Sequence, residues 1–227
     1  MITDATAVKL RAEDGRSIKQ ADISMFINDL PNGKDTRTFC TEDASGSTSQ
    51  AANVIESMEA GAKALLIDED TSATNFMIRD ELMQRVIHRE MEPITPFIER
   101  IRELYEQYDI STVIVAGSSG AYFHIADTIV QMDKYVPKEI TDPAKREAEN
   151  FPALSGPEEP AGHPRFERRP RQSRGFGSQD RIKMKTMGQE AVQINRETVD
   201  LRYVEQIVDS EQVTALGYCL KYAQQHV

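Results

Sequence analysis

Two short apolar runs, residues 64–67 and 112–116, constrain the fold of this chain more than any other feature. Each run is far shorter than the roughly 18 apolar residues of a membrane helix, and each is apolar on both faces, as in a buried parallel strand. Between them, apolar residues that follow Thr95 and Pro96 recur at helical spacing. Strand, helix and strand in this order predict an α/β domain with a mainly parallel sheet and flanking helices.

Weaker patterns predict the neighbouring elements. Residues 45–60 have the spacing of a helix that ends at Gly61, and residues 129–132 form a candidate third buried strand. Residues 8–19 predict a short hairpin around a turn at Asp14-Gly15. The polar, turn-rich residues 31–43 predict a loop.

A change of composition marks the domain organisation. Six of the ten prolines fall between residues 143 and 170, mixed with Gly, Glu and Arg. Such a segment buries too little apolar area to offset its ordering entropy, which predicts a linker or long loop. A small hairpin through Met184 and residues 192–194 is expected to follow it, and then two helices around residues 199–208 and 211–225. The predicted parts are an α/β domain at residues 1–140, a Pro/Arg-rich linker or long loop at 141–180, and a small C-terminal α+β appendage at 181–227.

The cysteine and histidine content excludes several classes of protein. Cys40 and Cys219 have no partner cluster and the four histidines are scattered, which argues against a disulfide scaffold and a Cys- or His-based metal site. The N-terminus has neither a basic stretch nor an apolar core, so no secretory signal is visible. These features predict a cytoplasmic protein without a membrane partner.

Two segments carry residues suited to phosphate chemistry. Residues 43–50 form a hydroxyl-rich stretch that opens the predicted helix, where exposed N–H groups and the helix dipole suit a phosphate. Asp68, Glu69 and Asp70 follow a predicted buried strand, where α/β sheets bind ligands. An Asp there can hold hydrated Mg²⁺, and an adjacent Glu can orient or deprotonate a water. A plain helix cap and an acidic turn are the alternative interpretations of these two segments.

Together the two segments resemble the ATPase domains of the ABC class. Residues 44–48 lie where that class has its Leu-Ser-Gly-Gly-Gln signature, twenty residues ahead of Asp68, about the usual distance to the Walker B strand. Residues 65–69 look like the Walker B strand itself, and residues 72–75 look like the D-loop. The wider pattern is similar to a narrower group, the soluble predicted ABC-class ATPases that carry no membrane domain. This resemblance covers roughly residues 8–132.

The resemblance implies a partial P-loop NTPase fold with ATP and Mg²⁺ bound between two subunits. Asp68 would be the Mg²⁺-associated Walker B aspartate, and Glu69 the catalytic carboxylate. The nucleotide-binding residues of the signature would be Ser45, Gly46, Ser47 and Thr48. The D-loop at the subunit contact would comprise Ser72, Ala73, Thr74 and Asn75. The second subunit would be another copy of this chain or a P-loop-bearing ATPase subunit.

Several positions depart from the pattern of the class. Thr48 replaces the signature glutamine, Asp70 replaces the usual proline, and Ser118 stands at the switch position in place of a histidine. No Gly-x-x-x-x-Gly-Lys-Ser/Thr motif occurs, since the nearest dipeptide, Gly33-Lys34, is not followed by Ser or Thr. We infer that the chain is the C-terminal half of such an ATPase or a shortened relative. We expect it not to hydrolyse ATP alone.

A basic segment supports a second, non-enzymatic interpretation as an RNA-binding or dimerisation module. Residues 163–185 contain eight basic and two acidic residues, although the whole chain has a net charge of −10. Arginine pairs with phosphate and stacks on bases, and Phe166 and Phe176 can stack too, so single-stranded RNA is a candidate ligand. A solvated linker is the alternative. The arginines concerned are Arg165, Arg168, Arg169, Arg171 and Arg174.

Overall fold

The computed structural model describes residues 3, 5–88, 91–152, 160–166 and 183–226. The chain divides into two compact units, Met1–Phe166 and Glu167–Val227. The described strands and helices of the first unit are, in chain order, β1 (Ala7–Leu10), β2 (Ile18–Ala21), β3 (Phe39–Thr41), α1 (Gly46–Glu59), β4 (Ala64–Asp68), α2 (Thr74–Met77), α3 (Glu81–Val86), α4 (Ile101–Tyr108), β5 (Ser111–Val115), β6 (Val130–Asp133), β7 (Val136–Glu139) and α5 (Thr141–Ala148).

A three-stranded parallel sheet organises the first unit, which confirms the predicted α/β class with flanking helices. β4 lies in the centre and pairs in parallel with β1 on one side and β5 on the other. The register places Leu10 beside Ile67, and Ile67 beside Ile114. Because all three strands run the same way, their carboxyl ends meet at one edge of the sheet. Asp68 and the loop after Val115 lie at that edge.

One face of the sheet packs into the main core of the unit. Leu65 and Ile67 of β4 are buried there with the apolar stripe of α1. The same core holds three aromatic rings, Phe26, Phe76 and Phe97, whose centroids lie 5.2, 6.1 and 5.9 Å apart in pairs. The central strand is therefore fixed from one side by helices and aromatic packing.

The other face of the sheet is more open. Leu66 of β4 is only partly buried and lies in register beside Val113, which is 42% exposed. Val115, at the end of β5, is 65% exposed, and no residue of β5 is buried. The prediction of a buried strand at residues 112–116 is therefore correct for the strand and wrong for its burial. Parallel sheets of α/β proteins are usually covered on both faces, so this face is unusually open.

Helix α1 begins and ends where its sequence directs. Ser45 is the N-cap residue, and its side-chain oxygen accepts a hydrogen bond from the Thr48 amide. Gly61 follows the helix with a φ of +81°, a left-handed conformation that glycine adopts without a steric penalty. The predicted helix is therefore confirmed within one residue at each end.

The predicted hairpin at residues 8–19 is wrong. β1 pairs with β4, whereas β2 pairs antiparallel with β3, so the turn near Gly15 joins strands of two different sheets. The alternating pattern identified strands correctly but not their partners, because parallel pairing joins residues far apart in sequence. β3 also lies inside the region predicted as a loop.

The predicted third buried strand is wrong in its partner and its burial. β6 forms an antiparallel pair with β7, outside the parallel sheet. Its residues Val130 and Met132 are 52% and 64% exposed. Their apolar character made the strand resemble a core element, although a two-stranded ribbon leaves such side chains in water.

The region predicted as a linker begins with a helix, α5. Pro143 falls in the first turn of α5, where a missing N–H breaks no intrahelical hydrogen bond. Ala144 and Ala148 of this helix are buried. The division of the chain at residues 141 and 181 stays a prediction.

The second unit contains β8 (Met184–Met187), β9 (Ala191–Ile194), β10 (Glu197–Asp200) and α6 (Ser210–His226). The strands form an antiparallel sheet in the order β10-β9-β8. A small core joins Val192 and Ile194 to Val213 of α6. Gly217 lets α6 approach β8, because a Cβ at that position would overlap the sulfur of Met184.

The prediction of two helices in the second unit is only partly correct. One helix, α6, occupies the second predicted position, and β10 with the turns after it occupies the first. Among the residues that the structure describes, no helix combines the length and the apolar character that a membrane crossing requires.

Candidate functional site

The candidate site is built at the carboxyl end of β4. Asp68 is the last residue of this strand, and Glu69 begins the 3-10 turn that follows it, Glu69–Thr71. One Asp68 oxygen, Oδ1, accepts a hydrogen bond of 3.2 Å from the Asp70 amide, so the side chain caps that turn. The strand end therefore presents two adjacent carboxylates at the edge of the sheet.

The loop after β5 holds the carboxylate of Glu69. Glu69 Oε2 accepts hydrogen bonds from the amides of Gly117 at 2.7 Å and Ser118 at 3.0 Å. Ser118 Oγ donates to the other oxygen, Oε1, at 2.7 Å. This arrangement follows from the topology, because β5 lies beside β4 in parallel and its carboxyl end delivers the loop to Glu69. Ser118 thus contacts the proposed catalytic carboxylate directly.

These hydrogen bonds lower the pKa of the Glu69 carboxyl from its ordinary value. The Ser118 hydroxyl is the largest cause, because it donates to the ionised form, and the neighbouring backbone amides act in the same direction. Partial burial opposes the shift. Glu69 is therefore ionised at neutral pH.

In the Ser118→Ala variant we expect the pKa of Glu69 to rise toward its ordinary value. A carboxyl whose pKa folding lowers contributes stability that is present above its unfolded pKa and is lost as the pH falls through the folded pKa. The variant should therefore have a smaller contribution at neutral pH, and what remains should be fully lost at a higher pH than in the wild type. Carbon-detected NMR titration of the Glu69 carboxyl measures the pKa.

Ser119→Ala is the matched control for this titration. The Ser119 hydroxyl accepts a hydrogen bond from the Ala121 amide and does not bond to Glu69. Its removal should leave the pKa of Glu69 close to the wild-type value. Equal pKa values in Ser118→Ala and wild type would contradict the assignment of the Ser118 hydroxyl as the main cause.

The start of α1 supplies a second group of polar residues. Ser45 Oγ lies 2.9 Å from Thr48 Oγ1 and 3.4 Å from Ser47 Oγ, so three hydroxyl groups cluster at this helix terminus. The first amides of a helix lack partners within the helix, and the helix dipole favours an anion there. The start of α1 therefore combines the hydrogen-bond donors that a phosphate requires.

Three chain segments meet at Gly46. A Cβ at this position would lie 3.2 Å from Asp14 Oδ1 and 3.5 Å from the Cβ atoms of Ala12 and Ala73. Ser49 strengthens this junction, because its Oγ accepts from the Glu13 amide at 2.8 Å. The start of α1, the segment after β1 and the segment 72–75 are thus packed against one another.

The segment 72–75 is attached both to β4 and to α1. Ser72 Oγ donates to the carbonyl of Asp68 at 2.8 Å. Gln50 of α1 accepts from the Ala73 amide and donates to Ser72 Oγ, both at 2.9 Å. Thr74 and Asn75 lie exposed at the start of α2. The described contacts therefore join the predicted signature and D-loop residues into one cluster.

Sequence reasoning missed Gln50 and Tyr122 as residues of this region. Gln50 is a polar residue in the buried stripe of α1, and that mismatch was the available signal. Tyr122 is 6% exposed, and its hydroxyl has no hydrogen-bond partner among the described residues. Burial first, and then the negative charge of Glu69, raise the pKa of Tyr122, so its phenol stays neutral. No pattern in the sequence indicates a role for Tyr122.

The carboxylates at the end of β4 can supply only part of the coordination of a Mg²⁺ ion. Within the described residues, no group of three or more His, Cys, Asp or Glu side chains could hold a metal ion. Mg²⁺ commonly uses one or two carboxylates and takes its remaining ligands from phosphates and water. Asp68, at the sheet edge, has the chemistry for that role.

The predicted RNA-binding arginines are only partly described. Arg165 is exposed, and its backbone amide donates to Asp22 Oδ2 at 3.0 Å. Arg168, Arg169, Arg171 and Arg174 lie outside the described residues. Binding of single-stranded RNA by this segment stays a prediction.

Comparison with known protein families agrees with the architecture of the first unit. The family model described as the ABC_ATPase P-loop domain matches residues 1–167, which is most of the sequence. The chain therefore belongs to this family, whose P-loop domain points to an ATPase-like, nucleotide-binding function. Residues 183–227 match a second model, described as the MRB1590 C-terminal domain. The search of curated proteins gave no match.

Proposed function

We propose that this chain binds ATP with Mg²⁺ and supplies the signature and the catalytic carboxylate of an ABC-class ATPase site. The observation that carries the proposal is the fixed, ionised Glu69 beside Asp68 at the carboxyl end of the central strand. Membership of the ABC_ATPase family supports the choice of a nucleotide as the ligand. Three donors hold this carboxylate in one orientation at the strand end, the place where α/β sheets bind ligands.

The start of α1 would bind the phosphates of the nucleotide. The amides of Gly46 and Ser47 and the hydroxyls of Ser45 and Thr48 would be the donors, since the Thr48 amide already donates to Ser45 Oγ. The helix dipole adds a favourable field. Ser47 is largely buried, so its contribution would come from the backbone amide. Gly46 lets three segments pack closely beside this terminus, because a Cβ there would be crowded by Asp14, Ala12 and Ala73.

Asp68 would hold Mg²⁺, and Glu69 would act on the attacking water. Bound Mg²⁺ supplies neutralisation of the negative charge that develops on the phosphate oxygens. Glu69 Oε2 accepts two hydrogen bonds, whereas Oε1 accepts one, from Ser118. A carboxylate oxygen has two acceptor sites, so Oε1 can also accept a hydrogen bond from water. Glu69 would thereby orient the water and take up its proton.

The partner in this proposal is a second polypeptide that supplies the P-loop. We take Gly33-Lys34 not to be a phosphate cradle, because the turn there lacks the following Ser or Thr. The partner that supplies the P-loop would be a P-loop-bearing ATPase subunit. A second copy of the chain is the other candidate for the subunit contact, but its identical sequence would not add the P-loop motif. Ser72, Ala73, Thr74 and Asn75 would lie at the contact between the subunits.

Residue-resolved NMR with Mg–ATP tests this function. In the wild-type chain, millimolar Mg–ATP should shift the amide signals of residues 45–49 and of Asp68 and Glu69, because these groups contact the ligand. Asp68→Asn should lose the Mg²⁺-dependent part of the shifts. Asp70→Asn is the matched control, since Asp70 contributes its backbone amide to Asp68 and keeps it.

Two results would contradict the proposal. Absence of shifts at both segments at saturating Mg–ATP would remove nucleotide binding by this surface. Steady ATP turnover by the purified chain, lost in Glu69→Gln, would contradict the expectation that a partner is required.

A further inference from the structure

We infer that Gln50 is a positioning residue that couples the start of α1 to Asp68 and Glu69; the inference rests on the proposed function. Nothing in the sequence pattern assigns a role to Gln50, which follows the signature segment by two residues. Its side chain is fully buried, with 0% exposure. A primary amide in such a place requires partners, because a buried polar group without a hydrogen bond destabilises the folded state.

All the described partners of Gln50 lie on one segment. Its Oε1 accepts from the Ala73 amide, and its Nε2 donates to Ser72 Oγ, each at 2.9 Å. Nε2 also lies 3.5 Å from the sulfur of Met77. Both ends of the amide are therefore used to fix the segment that follows Glu69. A rotated amide would set its NH2 group against the Ala73 N–H, so that two donors would face each other.

A second link continues the chain of hydrogen bonds to the strand end. Ser72 Oγ, which accepts from Gln50, donates to the Asp68 carbonyl at 2.8 Å. That carbonyl belongs to the peptide group that joins Asp68 to Glu69. Two side-chain hydrogen bonds thus connect α1 to the backbone that carries both carboxylates.

Gln50 lies close to the start of α1, so this connection links the proposed phosphate site to the carboxylates. Thr48 and Gln50 lie in the same first turns of a 14-residue helix, so a displacement of its start moves both. Hydrogen bonds in a buried site are strong and directional, so the displacement is passed to Ser72 and Ala73. When a phosphate binds at the start of α1, the resulting displacement is therefore passed on to Asp68 and Glu69.

The same Mg–ATP titration in variants tests the coupling. In Gln50→Leu, residues 45–48 should keep their shifts, whereas the shifts of Ala73 and Glu69 should be largely lost. Asn53→Leu is the matched control, because Asn53 lies about one turn further along α1 and bonds to the Arg11 carbonyl at 3.0 Å. Asn53→Leu should keep both sets of shifts. A purely structural role of Gln50 would lower stability without separating the two sets.

The outcomes separate the inference from the proposed function. Wild-type shifts at residues 45–48 together with unchanged shifts of Ala73 and Glu69 in Gln50→Leu would overturn the coupling and leave nucleotide binding intact. Absence of any wild-type shift would overturn the proposed function and the inference with it. Ser72→Ala removes the middle link and decides the question if Gln50→Leu does not fold: it should also uncouple Glu69, and a wild-type response would overturn the inference.

Discussion

Phe76→Ala is expected to destabilise the first unit by about 3–5 kcal/mol, the range found when a buried phenylalanine is truncated. Phe76 has 0% exposure and lies between two other rings, with its centroid 5.2 Å from that of Phe26 and 5.9 Å from that of Phe97. The substitution removes both ring contacts and leaves a cavity that the packed core cannot fill. Urea unfolding followed on amide signals of the first unit measures the loss.

Phe76 also affects the candidate site, because it belongs to α2 and directly follows the segment 72–75. The ring anchors α2 in the core, so the segment is fixed at its end as well as by Gln50. Leu82→Ala is the control, since Leu82 is 71% exposed and its truncation should change stability by about 0.5 kcal/mol or less. A similar small change for both variants would show that the aromatic cluster does not stabilise the unit.

Arg100→Leu is expected to cost about 3–5 kcal/mol, because it leaves a buried carboxylate without its partner. Arg100 is 6% exposed, and its Nη1 lies 2.8 Å from Glu103 Oε2. Its Nε donates to the carbonyl of Met25 at 3.1 Å, so one guanidinium joins α4 to the segment that carries Phe26. The other oxygen of Glu103 is buried without a hydrogen-bond partner among the described residues, which makes the loss of Arg100 costlier.

Arg102→Leu, two residues further along the chain and within α4, tests the same loss of an ion pair at an exposed position. Arg102 pairs with Asp127, but the side chains are 44% and 74% exposed, so water screens the pair. Exposed pairs contribute about 0–1 kcal/mol. The same urea experiment should therefore rank Arg100→Leu well below Arg102→Leu in stability. Equal stabilities would mean that burial does not decide the strength of these ion pairs.

Local patterns predicted the central elements of the fold. Residues 64–67 and 112–116 correctly predicted two neighbouring parallel strands, β4 and β5, because short runs that are apolar on both faces are typical of parallel sheets. Burial was predicted correctly only for β4, since β5 lies at the edge of the sheet and none of its residues is buried. Ser45 and Gly61 gave the ends of α1, because caps act through neighbouring residues. Pairing partners were harder, since β1 meets β4 across a long stretch of chain, and no local signal distinguishes that pairing from a hairpin.

Some residues of the candidate site could be identified from the sequence, whereas the contacts between them could not. Asp68 and Glu69 followed from a strand end, and Ser118 from a resemblance to a switch position. The contact between Ser118 and Glu69 required the structure, because it depends on β5 lying beside β4. Tyr122 and Gln50 become informative only through burial and through the groups that they face, neither of which a single sequence displays.

The three hydrogen bonds on Glu69 have a consequence for the entropy of the reaction. An unrestrained glutamate loses up to about 1.5–2 kcal/mol of rotamer freedom when it is fixed in one orientation. Here the loop after β5 fixes it during folding, through Gly117 and Ser118. In the proposed reaction, a water beside Oε1 would therefore meet an acceptor whose direction is already set, and little side-chain disorder would remain to be removed in the reactive complex.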